Sequence, residues 1–246
     1  MRPDLLEAKA SVDWPFSQLP DLAKRLDAWL DRSVRIEIRE TPPPATENAI
    51  VAVEKEWLPL SFNVEVGAYI NAIRSSLDIL AMALIRRHNI EIREDRVLFP
   101  IASSESAFQN RGWAGRQLLE TLPSQDRDTI EALKPYQGGN EALWALHHLD
   151  IVRKHRHLLS VSLKPIHISL QGSLALGDFT PLATGTIQVN DEVVLGLLRK
   201  GVDPTLVRSK FYVGLTEEDY VGHRPVVGAL ARLAEVASGV IKLFDC

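Results

Sequence analysis

Hydrophobic and polar positions follow a helical pattern most clearly in residues 141–159, which read EALWALHHLDIVRKHRHLL. At about 100° per residue, one line along the predicted helix combines apolar side chains with two histidines. This line consists of Trp144, His148, Ile151, His155 and Leu158. Leucines on other sides predict a central helix that is covered on several faces, while Asp150 points away from the line. We expect the two histidines either to be satisfied by buried polar neighbours or to line a cleft.

A second long helix is predicted over residues 63–87, because apolar positions recur there at alternating spacings of four and three. These positions are Val66, Ile70, Ile73, Leu77, Leu80 and Leu84. Arg74 and Asp78 lie on the flank of this stripe, four residues apart. A base placed before an acid at this spacing is the weaker orientation for supporting a helix. We therefore expect tertiary contacts to explain the pair.

Four further helices are predicted from the spacing of apolar residues. They cover residues 17–31, 116–122, 124–133 and 225–244. Pro20 falls in the first turn of the earliest of these helices, where proline is tolerated. The last helix carries almost no charge, so it suits the interface of a homo-oligomer as well as a core.

Strand-like alternation occurs in two regions of the chain. Residues 34–40 and 49–56 predict an early pair of strands, and three prolines lie in the loop between them. Later segments predict an antiparallel sheet of about four strands, which the early pair is able to join. These segments read LSVSLKPIHISL, GTIQVN, EVVLGLL and SKFYVGL.

Together these elements predict an α+β fold in a single domain of 246 residues, which is enough for one substantial core. The predicted helical core covers residues 17–31, 63–159 and 224–244, and the β-rich part covers 33–56 and 160–218. A formal net charge of -4 gives no overall attraction to nucleic acid or to anionic membranes. Neither a signal-like N-terminal stretch nor a run of about 18 apolar residues occurs, so a cytoplasmic protein without membrane contact is predicted.

The sequence lacks the motifs of several large enzyme classes. GxGxxG, GxxxxGK[ST], GxSxG and HExxH are all absent, so no dinucleotide, P-loop, hydrolase or zincin site is predicted. The one cysteine, Cys246, excludes an internal disulfide and a cysteine-based metal site. His148 and His155 are two helical turns apart, about 10 Å, so one ion does not bridge them on a straight helix. We therefore expect no metal and no cofactor.

The polar residues of the two long helices form the candidate site. If these helices pack together, Arg74 and Asp78 of one meet His148, His155 and Arg156 of the other. An aspartate beside a histidine raises the pKa of the histidine, and Arg74 would keep the carboxylate ionised. Such a network serves either as a catalytic acid/base set or as a buried polar clamp that fixes the register of the helices.

Residues from about 64 to 161 resemble a widespread family of uncharacterised bacterial proteins. Its members share a helix of the form N-x-x-R-S-x-L-D-x-L, an FPI segment, a PY turn and a helix that ends in D-x-x-x-K-H-R. In this chain the matching residues are Asn71, Arg74, Ser75, Leu77, Asp78 and Leu80; Phe99, Pro100 and Ile101; Pro135 and Tyr136; and Asp150, Lys154, His155 and Arg156. The resemblance implies a shared fold rather than an activity. Where many relatives carry a histidine after the aspartate, this chain has Ile79.

The helix pair is also similar to HEPN domains, helical modules of bacterial toxin and defence systems, some of which cleave RNA. Their nuclease motif places a histidine after an arginine and four to six intervening residues. No histidine in this chain follows an arginine at that distance, and Arg153 and His157 are one residue too close. The resemblance therefore implies a related helical core without the nuclease motif.

Two functions from different classes remain open at this point. The first is a non-catalytic binding or interaction protein in which the Arg/Asp/His network is structural. The second is a HEPN-like RNA-processing or phosphodiester-cleaving enzyme of a toxin or defence type. In that enzyme, His155 would be the general base, and Arg156 or Arg74 would hold phosphate, with RNA as the partner.

Overall fold

The structure is a computed structural model that describes residues 1–93, 97–170, 178–181, 193–203, 207–217, 221–222 and 224–245. These residues form an α+β fold, as the sequence predicts. The described α-helices are α1 (Leu6–Ser33), α2 (Leu60–Arg87), α3 (Glu105–Gln109), α4 (Ala114–Thr121), α5 (Ser124–Ala132), α6 (Glu141–His155) and α7 (Val226–Lys242). The described strands are β1 (Val34–Arg39), β2 (Glu47–Glu54), β3 (Val161–Leu170), β4 (Phe179–Pro181), β5 (Val193–Arg199) and β6 (Val207–Leu215).

Helix α1 is longer than the sequence predicts, because it begins at Leu6 and contains Pro15 and Pro20 in its interior. The prediction that Pro20 lies in the first turn is therefore wrong. The helix continues through both prolines because its buried side chains recur at alternating spacings of three and four along its whole length. They are Leu5 in the turn before the helix, then Ala8, Val12, Pro15 itself, Leu19, Leu22, Leu26 and Trp29. Burial of this stripe offsets the hydrogen bonds that the prolines remove.

The predicted apolar stripe of α2 is confirmed, since all six of its residues are fully buried. Within the described ranges, α2 is the one helix whose length and composition would allow it to cross a membrane. However, 61% of its most apolar 18-residue window is buried inside the protein. That degree of burial is typical of a core helix in a soluble protein.

Helix α6 ends at His155, whereas the sequence predicts a helix to residue 159. Asn140 caps its first turn, because the side-chain oxygen of Asn140 accepts a hydrogen bond from the Leu143 amide at 3.2 Å. The buried side of the helix is not the predicted line of Trp144 and His148. It consists instead of Leu143, Ala145, Leu146, Leu149, Asp150 and Val152.

The strands form two antiparallel sheets rather than one. Four strands are joined in the order β1–β2–β5–β4, so the early pair does continue into the later strands. Among the residues that the structure describes, strands β3 and β6 pair only with each other, which corrects the prediction that they share one sheet with β5. The predicted strand GTIQVN lies outside the described residues.

The chain divides into two compact units. The first unit contains Met1–Asp21, Asn63–Leu159 and Glu217–Cys246, and the second contains Leu22–Phe62 and Ser160–Thr216. The first unit is helical and holds the candidate site, while the second holds both sheets.

Candidate functional site

Three contacts between α2 and α6 show that these helices run antiparallel. The contacting positions rise by four and then three residues along α2, and they fall by three and then three along α6. The pairs are Gly67 with Arg153, Asn71 with Asp150, and Arg74 with His147. A Cβ atom on Gly67 would lie 2.8 Å from the Cδ atom of Arg153, so the glycine lets the arginine side chain cross α2 closely.

Arg74 is the centre of this interface, with only 3% of its surface exposed. Each of its three guanidinium nitrogens donates a hydrogen bond to a different group. Nε donates to Nδ1 of His147 at 3.3 Å, Nη1 to Oδ1 of Asp78 at 2.6 Å, and Nη2 to the carbonyl oxygen of Phe99 at 3.1 Å. The planar guanidinium group thus holds two helices and one loop segment in a fixed geometry.

Asp78 and Arg74 together form hydrogen bonds to both main-chain polar groups of Phe99, its amide and its carbonyl. The Phe99 amide donates to the same Asp78 oxygen that accepts from Arg74, at 2.8 Å, and the Phe99 carbonyl accepts from Arg74. The phenylalanine side chain is itself 1% exposed. Both main-chain polar groups of Phe99 are therefore satisfied by the pair on α2, as buried backbone requires.

The segment that contains Phe99 is also held from its other side. The Ala102 amide donates to the carbonyl of Pro135 at 2.9 Å, and a parallel bridge joins Ala102 to Tyr136. The Tyr136 ring lies 5.5 Å from that of Phe108, and its hydroxyl donates to Glu105 at 3.3 Å. The FPI and PY segments of the sequence are therefore neighbours, and the Arg74–Asp78 pair attaches them to α2.

His147 is the histidine that completes the network. Arginine has only donors, so the Nδ1 atom that accepts from Arg74 must carry a lone pair and the proton must be on Nε2. Burial, and then the positive charge of Arg74, lower the pKa of His147 from 6.5 to about 4. The imidazole is therefore neutral near pH 7. The sequence-based expectation that Asp78 raises the pKa of His148 is wrong, because Asp78 accepts from Arg74 and the Phe99 amide instead, and the pKa of His148 is lowered.

Asp150 forms a second polar cluster beside the first. It is 4% exposed, although the helical pattern predicts that it points away from the apolar line. Its carboxylate accepts from Asn71 at 3.1 Å and pairs with Lys154 at 2.5 Å and Arg153 at 3.5 Å. Burial of this carboxylate is tolerated because three donors surround it.

The other predicted site residues lie outside the Arg74 network. His155 and Arg156 are exposed, at the last residue and the C-cap of α6. His148 is partly buried, with its ring 5.4 Å from that of Trp144. Burial, and then Arg156, lower the pKa of His148. Of the five residues predicted for the site, the structure brings only Arg74 and Asp78 together, and it replaces the predicted histidines with His147.

Sequence reasoning missed His147, Asn71 and the main chain of Phe99 as members of the network. A usable signal existed, because Asn71 and Arg74 are three residues apart on one helix, and so are His147 and Asp150 on the other. Equal spacing of polar residues on two helices is what a laddered antiparallel contact requires. In the part of the chain that the structure describes, no group of three or more His, Cys, Asp or Glu residues is arranged to hold a metal ion.

Comparison with known proteins does not assign this chain to a family. No protein-family model, curated protein or solved structure matches this chain. The resemblances given by the sequence motifs therefore stay predictions, and the site is interpreted from its own contacts.

Proposed function

We propose that this chain is a non-catalytic binding or interaction protein in which the Arg74 network is a structural clamp. The observation that supports this proposal is the burial of Arg74 with all three of its nitrogens bound to protein acceptors. A guanidinium group that is buried and bound in this way is not accessible to a substrate phosphate.

His147 supports the same interpretation by its protonation. A general base near pH 7 needs an available lone pair and a pKa close to that pH. The Nδ1 lone pair of His147 already accepts the Arg74 hydrogen bond, and its pKa is about 4. The neutral ring thus serves as the hydrogen-bond acceptor that satisfies the buried Nε–H group of Arg74.

Exposed aromatic and aliphatic side chains support the binding part of the proposal. Trp57 and Leu60 are each 69% exposed, and both belong to the second unit. In the first unit, Trp14 and Phe16 also present much of their surface to solvent. Tryptophan and phenylalanine are enriched at protein interfaces, where they bury large areas on binding.

Two substitutions at Asp78 test the clamp. Asp78→Ala removes the oxygen that accepts from both Arg74 and the Phe99 amide, so we expect about 2 kcal/mol less stability to unfolding. Asp78→Asn keeps an oxygen at that position and removes only the charge, so we expect about half that loss. Thermal and urea denaturation would measure both variants. Full parental stability of Asp78→Ala would refute the structural role.

One observation favours the alternative of a HEPN-like RNA-processing or phosphodiester-cleaving enzyme. His155 and Arg156 are adjacent and both exposed to solvent at the end of α6. In that alternative they would act without Arg74, because its guanidinium group is sealed in the clamp.

A further inference from the structure

The first unit also contains a groove between α1 and α7. The two helices run antiparallel here, because the amino group of Met1 and the amide of Arg2 lie 3.6 and 2.5 Å from the carboxylate of Asp245, just beyond the end of α7. The groove encloses about 320 Å³. Its floor and rim include Val12 and Phe16, and Phe16 is 47% exposed.

Two opposite charges on α7 border this groove. Glu235 and Lys242 are both exposed, and neither side chain has an ion-pair or hydrogen-bond partner among the residues that the structure describes. They are seven residues apart, which is two helical turns or about 10 Å along one face. On the α1 side, by contrast, Lys9 and Asp13 neutralise each other in an ion pair.

Small residues occupy the point midway between these charges. Ser238 and Gly239 lie one turn from Glu235 and one turn from Lys242, and both line the groove. A Cβ atom on Gly239 would meet no atom within 4 Å, so the space above it is open. Another helix is therefore able to approach α7 closely at this point.

We propose that the groove binds a second copy of this chain, with a two-fold axis passing near Ser238 and Gly239. A two-fold axis at the midpoint exchanges the two ends of the α7 face. Glu235 of each copy then meets Lys242 of the other, and two equivalent ion pairs form. The two charges are therefore complementary to their own copies about this axis. An unrelated partner would be complementary only if it carried two opposite charges at the same separation.

The apolar part of the contact comes from Phe16. Its exposed ring stands at the rim of the groove, and the docked copy covers it while contributing its own Phe16 in return. The cavity has the volume of roughly ten water molecules, which is enough for an aromatic side chain. Burial of the two rings supplies the affinity, while the ion pairs fix the register.

Charge exchange tests this dimer directly. Sedimentation equilibrium would compare the parent with Glu235→Lys, Lys242→Glu and the double variant that carries both changes. Each single variant opposes two pairs of like charges, so we expect its dimer dissociation constant to rise about tenfold or more. The double variant restores opposite charges across the axis and should recover the parental constant within about twofold. Higher salt should weaken the parental dimer.

Two further variants serve as controls. Arg111→Glu changes the net charge as much as Lys242→Glu does, but Arg111 is an exposed residue of the loop between α3 and α4, so dimerisation should be unchanged. Gly239→Trp fills the open space at the axis and should abolish the dimer, while its melting temperature should equal that of the parent at concentrations low enough for the parent to be monomeric.

A monomeric parent at every concentration tested would overturn the proposal. So would a dimer that both single variants leave intact, or a double variant that fails to recover the dimer. None of these results would affect the clamp, because the Asp78 variants test the clamp by stability rather than by association.

Discussion

The interface between α2 and α6 and the groove between α1 and α7 are both formed by antiparallel helices, but their charged residues differ in one respect. In the first, Arg74 is buried and each guanidinium nitrogen has an acceptor within the chain. In the second, Glu235 and Lys242 stay exposed and unpaired within the described residues. Charged side chains that are already satisfied internally stabilise the fold, whereas those left unpaired at an open groove are available for recognition.

The largest effect is expected from removing Arg74. Arg74→Ala leaves the Asp78 carboxylate, the Phe99 carbonyl and the His147 ring without their shared donor. Breaking a buried charge pair in this way costs about 3 to 5 kcal/mol of unfolding free energy. Chemical denaturation would measure the loss, with Arg111→Ala as an exposed arginine control that should change stability by less than about 0.5 kcal/mol. Similar losses of unfolding free energy in Arg74→Ala and Arg111→Ala would contradict the role of Arg74 as a clamp.

A smaller effect is expected from lowering the pH. The folded state holds the pKa of His147 at about 4, below its ordinary value of 6.5, so the unfolded chain binds the proton more readily. The contribution of the neutral ring is therefore complete above about pH 6.5 and is lost as the pH falls towards 4. The loss is at most about 3 kcal/mol.

Replacement of His147 by a group that does not titrate would isolate this contribution. In His147→Asn, the amide oxygen is able to accept from Arg74, so the variant should lose less stability than the parent between pH 6.5 and 4. Melting temperatures across that range would measure the difference. Parallel curves for the parent and the variant would show that another group is responsible.

The smallest effect on stability is expected at the exposed end of α6. His155→Ala should change the unfolding free energy by less than about 0.5 kcal/mol, because the side chain is exposed. If the chain is a binding protein, the variant and the parent should also be equal in an RNA-cleavage assay. Cleavage by the parent that His155→Ala abolishes would support the enzymatic alternative and contradict the function proposed here.

Local pattern was sufficient to predict helices α2 and α7, the early strand pair and the α+β class. The stripe on α2 was predictable because six buried apolar residues recur at alternating spacings of four and three, the period of a helix. The presence of tertiary contacts at Arg74 and Asp78 was also predictable, since their order on the helix gives little local support. These predictions depend only on the periodic spacing of apolar residues and on contacts between neighbours within one helix.

The buried face of α6 was not predictable in the same way. Leu143, Leu146 and Leu149 on one side compete with Trp144, Ile151 and Leu158 on the other, so hydrophobicity does not decide between them. The choice depends on Asn71 and Arg74 of α2, which provide partners for Asp150 and His147. Because those partners are more than 70 residues away in sequence, the periodicity of α6 alone selected the wrong histidines.

The most direct test of the clamp is the titration of the His147 ring by nitrogen-detected NMR. The structure predicts a neutral ring with its proton on Nε2 and its Nδ1 atom accepting from Arg74, maintained until the pH approaches 4. A ring that titrates near pH 6.5, or one with its proton on Nδ1 at neutral pH, would contradict the clamp.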